Sequence, residues 1–166
     1  PFQRQSYQFL EDGARILDDR SYFFYMATGI TPAMTAPPDG SGSVYAMTAR
    51  EENGVYLDGS KTYKVTLPAP VPAKNFWSFM LYSGQTRSIL ETDQRSGGID
   101  SKRPGIKANA DGSYTIYVGP EAPKGWENNW AQTIPGKSFN VMMRLYGPLE
   151  PWFDKSWKPG DFVEVK

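Results

Sequence analysis

Apolar and polar residues alternate most cleanly over Ser138–Tyr146, where Phe139, Val141, Met143 and Leu145 share one face and Arg144 and Tyr146 lie on the other. The same period of two runs through Tyr63–Leu67, with Tyr63, Val65 and Leu67 facing one way and Lys64 and Thr66 the other. Tyr114–Val118 repeats it. Phe76–Tyr82 is apolar at both parities apart from Ser78, the pattern of a strand covered on both sides. Val44–Ala49, a short run near Asn129–Thr133 and Phe162–Val165 complete the predicted strands. Between them stand turn dipeptides, Asn53-Gly54, Asp58-Gly59, Asp111-Gly112 and Pro135-Gly136. Pro68, Pro70 and Pro72 end the strand that precedes them. Asp93–Lys107 is polar and Gly-rich and reads as a loop without order. Pro148 and Pro151 bracket a short turn that carries Trp152, Phe153 and Trp157. The pattern predicts a core of Val65, Leu67, Phe79, Leu81, Ile116, Phe139, Val141, Met143 and Leu145.

Helical spacing occurs once. Over residues 4–19, Tyr7, Leu10, Ala14 and Leu17 step by three, four and three and so predict a helix, which Gly13 weakens by about 1 kcal/mol relative to Ala. Ser21–Ile30 is rich in aromatic residues but has no clear period. Thr31–Ser43 holds Pro32, Pro37, Pro38, Gly40 and Gly42 and reads as a linker. The expected organisation is therefore a helical arm and linker over 1–43 and an all-β domain over 44–166.

Composition narrows the chemistry. A chain of 166 residues fits one domain, or one domain with an appendage, and can bury its own core. Aromatic residues make up 14%, with 14 Pro and 16 Gly, which suits many short strands and tight turns. The 18 basic and 18 acidic residues cancel, so a nucleic-acid partner is not expected. No apolar run approaches the ~20 residues of a membrane span. Pro1 is neither an initiator Met nor part of a basic leader, so the chain reads as a processed or truncated piece of something longer. There is no Cys and no His, which removes disulfides, thiolate nucleophiles, His or Cys metal sites and every Ser-His-Asp arrangement within the chain. No cofactor or metal is implied.

The segments LDGSKTYKVTLPAPVPAKNFWSFMLYSGQTRSIL, NADGSYTIYVGPEAPKGWENNW and QTIPGKSFNVMMRLYGPLEPWFDKSWKPGD resemble the C-terminal domain of the DUF1254/DUF1214 proteins. The resemblance covers roughly residues 20–166 in order and spacing. It implies a jelly-roll-like β-sandwich that follows a helical connection, and an N-terminal DUF1254-type partner domain or chain. Many members look exported, which implies a periplasmic or secreted setting. The family's function is unknown, so the resemblance carries over no catalytic residues.

Candidate ligand chemistry rests on Arg and aromatic side chains. Arg87 follows the exit of the apolar strand Phe76–Tyr82, and Arg144 projects from the non-core face of a later one. Two guanidiniums near a sheet end could clamp a carboxylate or phosphate; equally, each could pair with a structural carboxylate or stack on Trp. Trp77, Trp126, Trp130, Trp152 and Trp157 with Tyr82 and Tyr146 could form an aromatic platform, or simply fill the core. The specific expectation is that Arg87, Arg144 and Tyr146 share one concavity with Asn129 and Trp130. That makes the domain a binding or structural module for a small polar or anionic ligand. The alternative is a hydrolase of a small or carbohydrate-like substrate, sharing its catalytic residues with the partner domain. A homo-oligomer is compatible with either.

Overall fold

The computed structural model describes residues 10–18, 21 and 39–166. The chain divides into two compact units, Pro1–Pro38 and Asp39–Lys166.

In the first unit, residues 10–15 form a hairpin where the sequence predicts part of a helix. β1 (Leu10–Glu11) and β2 (Ala14–Arg15) pair antiparallel. Asp12 and Gly13 between them have φ of 51° and 77°. Left-handed backbone at both central positions is what a two-residue type I′ turn needs, and Asp-Gly is one of the dipeptides that suit it. The local turn chemistry wins over the helical spacing. Leu17, Asp18 and Ser21 are helical. The remainder of the predicted helix over 4–9 and 19, the aromatic stretch over 22–30 and the linker over 31–38 lie outside the described residues.

The second unit is all-β, with two four-stranded sheets. Its strands are β3 (Ser43–Thr48), β4 (Tyr63–Leu67), β5 (Ala73–Ser83), β6 (Gly98–Asp100), β7 (Tyr114–Gly119), β8 (Trp130–Gln132), β9 (Phe139–Pro148) and β10 (Val163–Glu164). One sheet has the order β10-β4-β7-β8 and the other β3-β9-β5-β6. Every pair is antiparallel except β7 with β8. A jelly roll is built from antiparallel pairs, so the β7–β8 pairing departs from the expected jelly-roll order. A short helix, Glu150–Phe153, follows β9 and has Pro151 in its first turn, where no N–H is required.

The strand missed in the sequence is β6, inside the predicted loop 93–107. It pairs antiparallel with β5, Met80 opposite Gly98. A Cβ at Gly98 would meet the Phe79 carbonyl. Here glycine allows the edge strand to approach, whereas in the sequence it reads as a loop signal.

The two sheets share one core. Val65, Leu67, Phe79, Leu81, Ile116, Phe139, Val141, Met143 and Leu145 are all at most 3% exposed, so the predicted faces are the buried ones. Rings meet edge to face across the core, Tyr63 on Phe139 at 6.3 Å and Trp77 on Tyr114 at 5.1 Å.

The outer face of β4 differs from that of the β3-β9-β5-β6 sheet. On β4 the outer residues are Lys64 and Thr66, both exposed, as usual for a solvated face. On the other sheet the outer residues are Tyr45 and Met47 of β3, Met142, Arg144 and Tyr146 of β9, and Phe76, Met80 and Tyr82 of β5, all half-buried. The sequence predicts β5 covered on both sides; its inward Trp77, Phe79 and Leu81 are buried, whereas on its outward side Ser78 is buried and Phe76, Met80 and Tyr82 are half-buried.

Candidate functional site

Strand register sets the site. Tyr45 of β3, Arg144 of β9 and Ser78 of β5 lie in one row across the outer face, and Asp100 of β6 ends that row. The adjacent row is Met47, Met142 and Met80. On the other side, Tyr146 is opposite Phe76, and their rings stack at 4.0 Å with 11° between planes. Even spacing along each strand keeps all of these side chains on one face.

Arg144 is the centre of the arrangement. Its Nη2 donates to the Tyr82 hydroxyl at 2.7 Å and its Nη1 to the Tyr146 hydroxyl at 3.4 Å. Its guanidinium lies 5.6 Å from the centroid of the Tyr45 ring. Among the described residues no carboxylate pairs with it, and its Nε is buried without a hydrogen-bond partner. A buried donor left unmade costs about 1–3 kcal/mol, so the fold holds this guanidinium at some expense of stability. Burial works against its charge, yet its pKa is displaced upward, because the Tyr146 hydrogen bond and the phenol oxygens of Tyr82, Tyr146 and Tyr45 outweigh burial.

The direction of these hydrogen bonds matters chemically. A phenol both accepts and donates. Tyr82 and Tyr146 accept from Arg144, and Tyr45 accepts from Ser43 Oγ at 3.0 Å. Each phenol therefore keeps its own proton to offer an incoming acceptor. A positive charge bordered by three hydroxyl donors is an arrangement for an anion.

A cleft of about 550 Å³ lies beside this face, lined in part by Phe76, Gln94, Ser96, Asp100, Lys102 and Arg103. Lys102 Nζ is 4.4 Å from the Phe76 ring centroid, on a ring that also stacks on Tyr146. Arg103 Nη1 donates to the Trp130 carbonyl at 3.0 Å, as does Gln94 Nε2 at 3.2 Å.

Of the five residues expected to share a concavity, the structure brings Arg144 and Tyr146 together. Arg87 is in the exposed turn beyond β5, at φ 60°, with its N–H on the Ser83 carbonyl at 3.0 Å. Asn129 is fully buried. It ends the 3-10 turn Glu127–Asn129, accepts from Lys107 N at 2.9 Å and donates to the carbonyls of Lys107 at 2.8 Å and Thr115 at 2.9 Å. With both amide protons and one oxygen lone pair engaged and no exposure, it holds two loops to β7 and cannot meet a ligand. Trp130 begins β8 in the other sheet, with its Nε1 donating to the Gly119 carbonyl at 2.9 Å. Its carbonyl accepts from Arg103 and Gln94, both of which line the neighbouring cleft.

The aromatic platform is dispersed. Trp77 and Trp157 are in the core, and Trp126 packs against Tyr117 at 5.4 Å. Sequence reasoning missed Tyr45, Met47, Met80 and Met142 as neighbours of Arg144. Parity alone would have put Met142 on the face of Arg144, but only the register across strands adds the other three. Among the described residues three carboxylates have displaced pKa values, Asp111, Glu127 and Asp154, and each is held low by local hydrogen bonds; a general acid needs the opposite shift. Among the described residues no cluster of three acidic groups could hold a metal ion, and no helix is long and apolar enough to cross a membrane.

Residues 42–150 match the family described as a protein of unknown function, DUF1214. The chain belongs to the DUF1214 family. The DUF1214 match begins just before β3 and ends at the start of the short helix, so it contains the whole Arg144 face. The fold is similar to the crystal structure of the VPA0106 protein from Vibrio parahaemolyticus, at 24% identity and a TM-score of 0.70, over 93% of this chain and 36% of that one. It is also similar to an uncharacterized protein from Burkholderia cenocepacia, at 21% identity and a TM-score of 0.53, over 75% of this chain and 30% of that one. The DUF1214 chain thus spans about a third of the length of these two structures. No curated protein matches it.

Proposed function

We propose that this DUF1214 domain is the binding domain of a two-domain DUF1254/DUF1214 protein and recognises a small anionic ligand on the outer face of the β3-β9-β5-β6 sheet. Arg144 supplies the charge, and Tyr45, Tyr82 and Tyr146 supply neutral donors around it. One observation carries the reading: a half-buried guanidinium that pairs with no carboxylate among the described residues and donates instead to two phenols. A structural Arg in such a place normally has an acidic partner, because an unpaired buried charge costs several kcal/mol. The greater length of the two similar structures supports a further domain beside this one.

The test is titration of the 166-residue chain with acetate, benzoate and inorganic phosphate, followed by amide chemical shifts in NMR. At least one should bind and move the amides of β5 and β9. In Arg144→Met, which loses the two hydrogen bonds to Tyr82 and Tyr146 and should be less stable by about 1–3 kcal/mol, affinity should fall at least tenfold. Absence of binding by all three, or equal binding by Arg144→Met, overturns the proposal.

A further inference from the structure

Resting on that anion-site reading, we infer that the ligand is an apolar monocarboxylate, with its carboxylate at Arg144 and its hydrocarbon body across the methionine row. Three features of the face select this class over a bare or multiply charged anion.

The first is the floor. Met47, Met142 and Met80 are in lateral register on three neighbouring strands, next to the row of Arg144, and all are half-buried. Strands are 4.7–4.9 Å apart, so the row extends roughly 10 Å. Thioether side chains are flexible and polarizable and adapt to irregular apolar bodies. Met80 leans toward β6, since a Cβ on Gly98 would meet its sulfur at 2.8 Å. Glycine at that position keeps the floor open to the side chain.

The second is the walls. Tyr45 and Tyr82 offer ring surface as well as hydroxyls, and the Phe76–Tyr146 stack closes the side opposite the methionines. The exposed Lys64 and Thr66 of the other sheet show what the outer face of a strand in this domain looks like when it meets only water. The Arg144 face departs from β4 over three strands; in the other sheet the outward Thr115 and Tyr117 of β7 are half-buried too, Tyr117 under Trp126. A patch of large apolar side chains surrounding one charge marks a site for an amphipathic partner.

The third is the charge. Arg144 contributes one positive charge without a carboxylate partner. The other ionisable residues at the margin are Lys102, over the Phe76 ring, Asp100, at the end of the Arg144 row, and Arg103, which lines the neighbouring cleft with its Nη1 on the Trp130 carbonyl. Arg144 is the cation of the face itself, and one charge there suits a monoanion. A dianion would need a second cation in this half-buried setting.

Isothermal titration of the 166-residue chain with octanoate, acetate and inorganic phosphate tests the inference, each repeated on Arg144→Met, Met142→Gln and Met47→Gln. Octanoate should bind at least tenfold tighter than acetate, since burying only two of its methylenes accounts for that ratio. Phosphate should bind more weakly than octanoate. Met142→Gln should reduce the octanoate preference severalfold while leaving acetate binding unchanged. Met47→Gln, on the edge strand where substitution disturbs packing least, should do the same. Equal affinity for octanoate and acetate, with both lost in Arg144→Met, overturns the apolar-body inference and leaves the anion site standing. Tightest binding by phosphate overturns it as well. If none of the three binds, or if Arg144→Met binds them all as wild type does, the anion site itself fails and the inference falls with it.

Discussion

Replacing Asn129 should destabilise the domain far more than its place in a loop would suggest. Asn129→Ala removes three side-chain hydrogen bonds, one from Lys107 N and two to the carbonyls of Lys107 and Thr115. At a net 0.5–1.5 kcal/mol for each bond, the expected loss is about 2–4 kcal/mol, a large share of the roughly 5–15 kcal/mol that holds a domain together. Urea unfolding at pH 7, followed by Trp fluorescence, should show a midpoint lowered by about 1–3 M at a typical slope. Asn129→Asp sharpens the test, because it sets an oxygen against two carbonyls where the amide nitrogen stood. Its carboxyl should have a folded pKa above the unfolded value of about 3.9. The stability of this variant is then fully present below the unfolded pKa and is lost as pH rises through the folded one. Asn129→Asp should therefore be at least as unstable as Asn129→Ala at pH 7 and recover toward pH 4. A loss below about 0.5 kcal/mol for Asn129→Ala, the range of ordinary surface changes, would refute the account.

Leu145→Ala should cost about 2–5 kcal/mol by emptying a site that is 1% exposed between the sheets, as read from the same urea curves. Asp111 accepts from Ser113 Oγ at 2.6 Å and Ser113 N at 3.0 Å, and these bonds hold its pKa below the ordinary carboxylate value. The stability it contributes is present above the unfolded pKa and lost as pH falls through the folded one, so an NMR titration should place its carboxyl below about 3.9. A midpoint at or above that value would count against the turn geometry.

Core and strand positions were legible because they depend on parity within one segment. The sequence assignment of Phe139, Val141, Met143 and Leu145 to the inside needed only the period of two, and all are buried. Asn129 was misread because its role depends on partners 22 and 14 positions away, which no local pattern reveals. The hairpin at Asp12-Gly13 was missed because helical spacing over a long window was weighed above a two-residue turn signal. The Arg144 face was half legible. Arg144, Tyr146 and Met142 follow from parity on β9, but Tyr45, Tyr82, Met47 and Met80 enter only through the register of β3, β9 and β5, which is set in three dimensions.

That register also bears on how the domain is made. Strand β3 takes its place in the sheet through β9 alone among the described residues, Ser43 against Tyr146 and Thr48 against Val141. At synthesis rates of about 5–20 residues per second, the roughly one hundred residues between them take on the order of 5–20 s to emerge from a ribosome. Over that interval β3 has no ladder to join, and β5 can pair only with the three-residue β6. Non-local pairing of this kind makes folding slow. Tyr45, Met47, Met80 and Tyr82, which later flank Arg144, are exposed on those waiting strands. The surface proposed to take an apolar carboxylate is thus also one a nascent chain must shield from its neighbours.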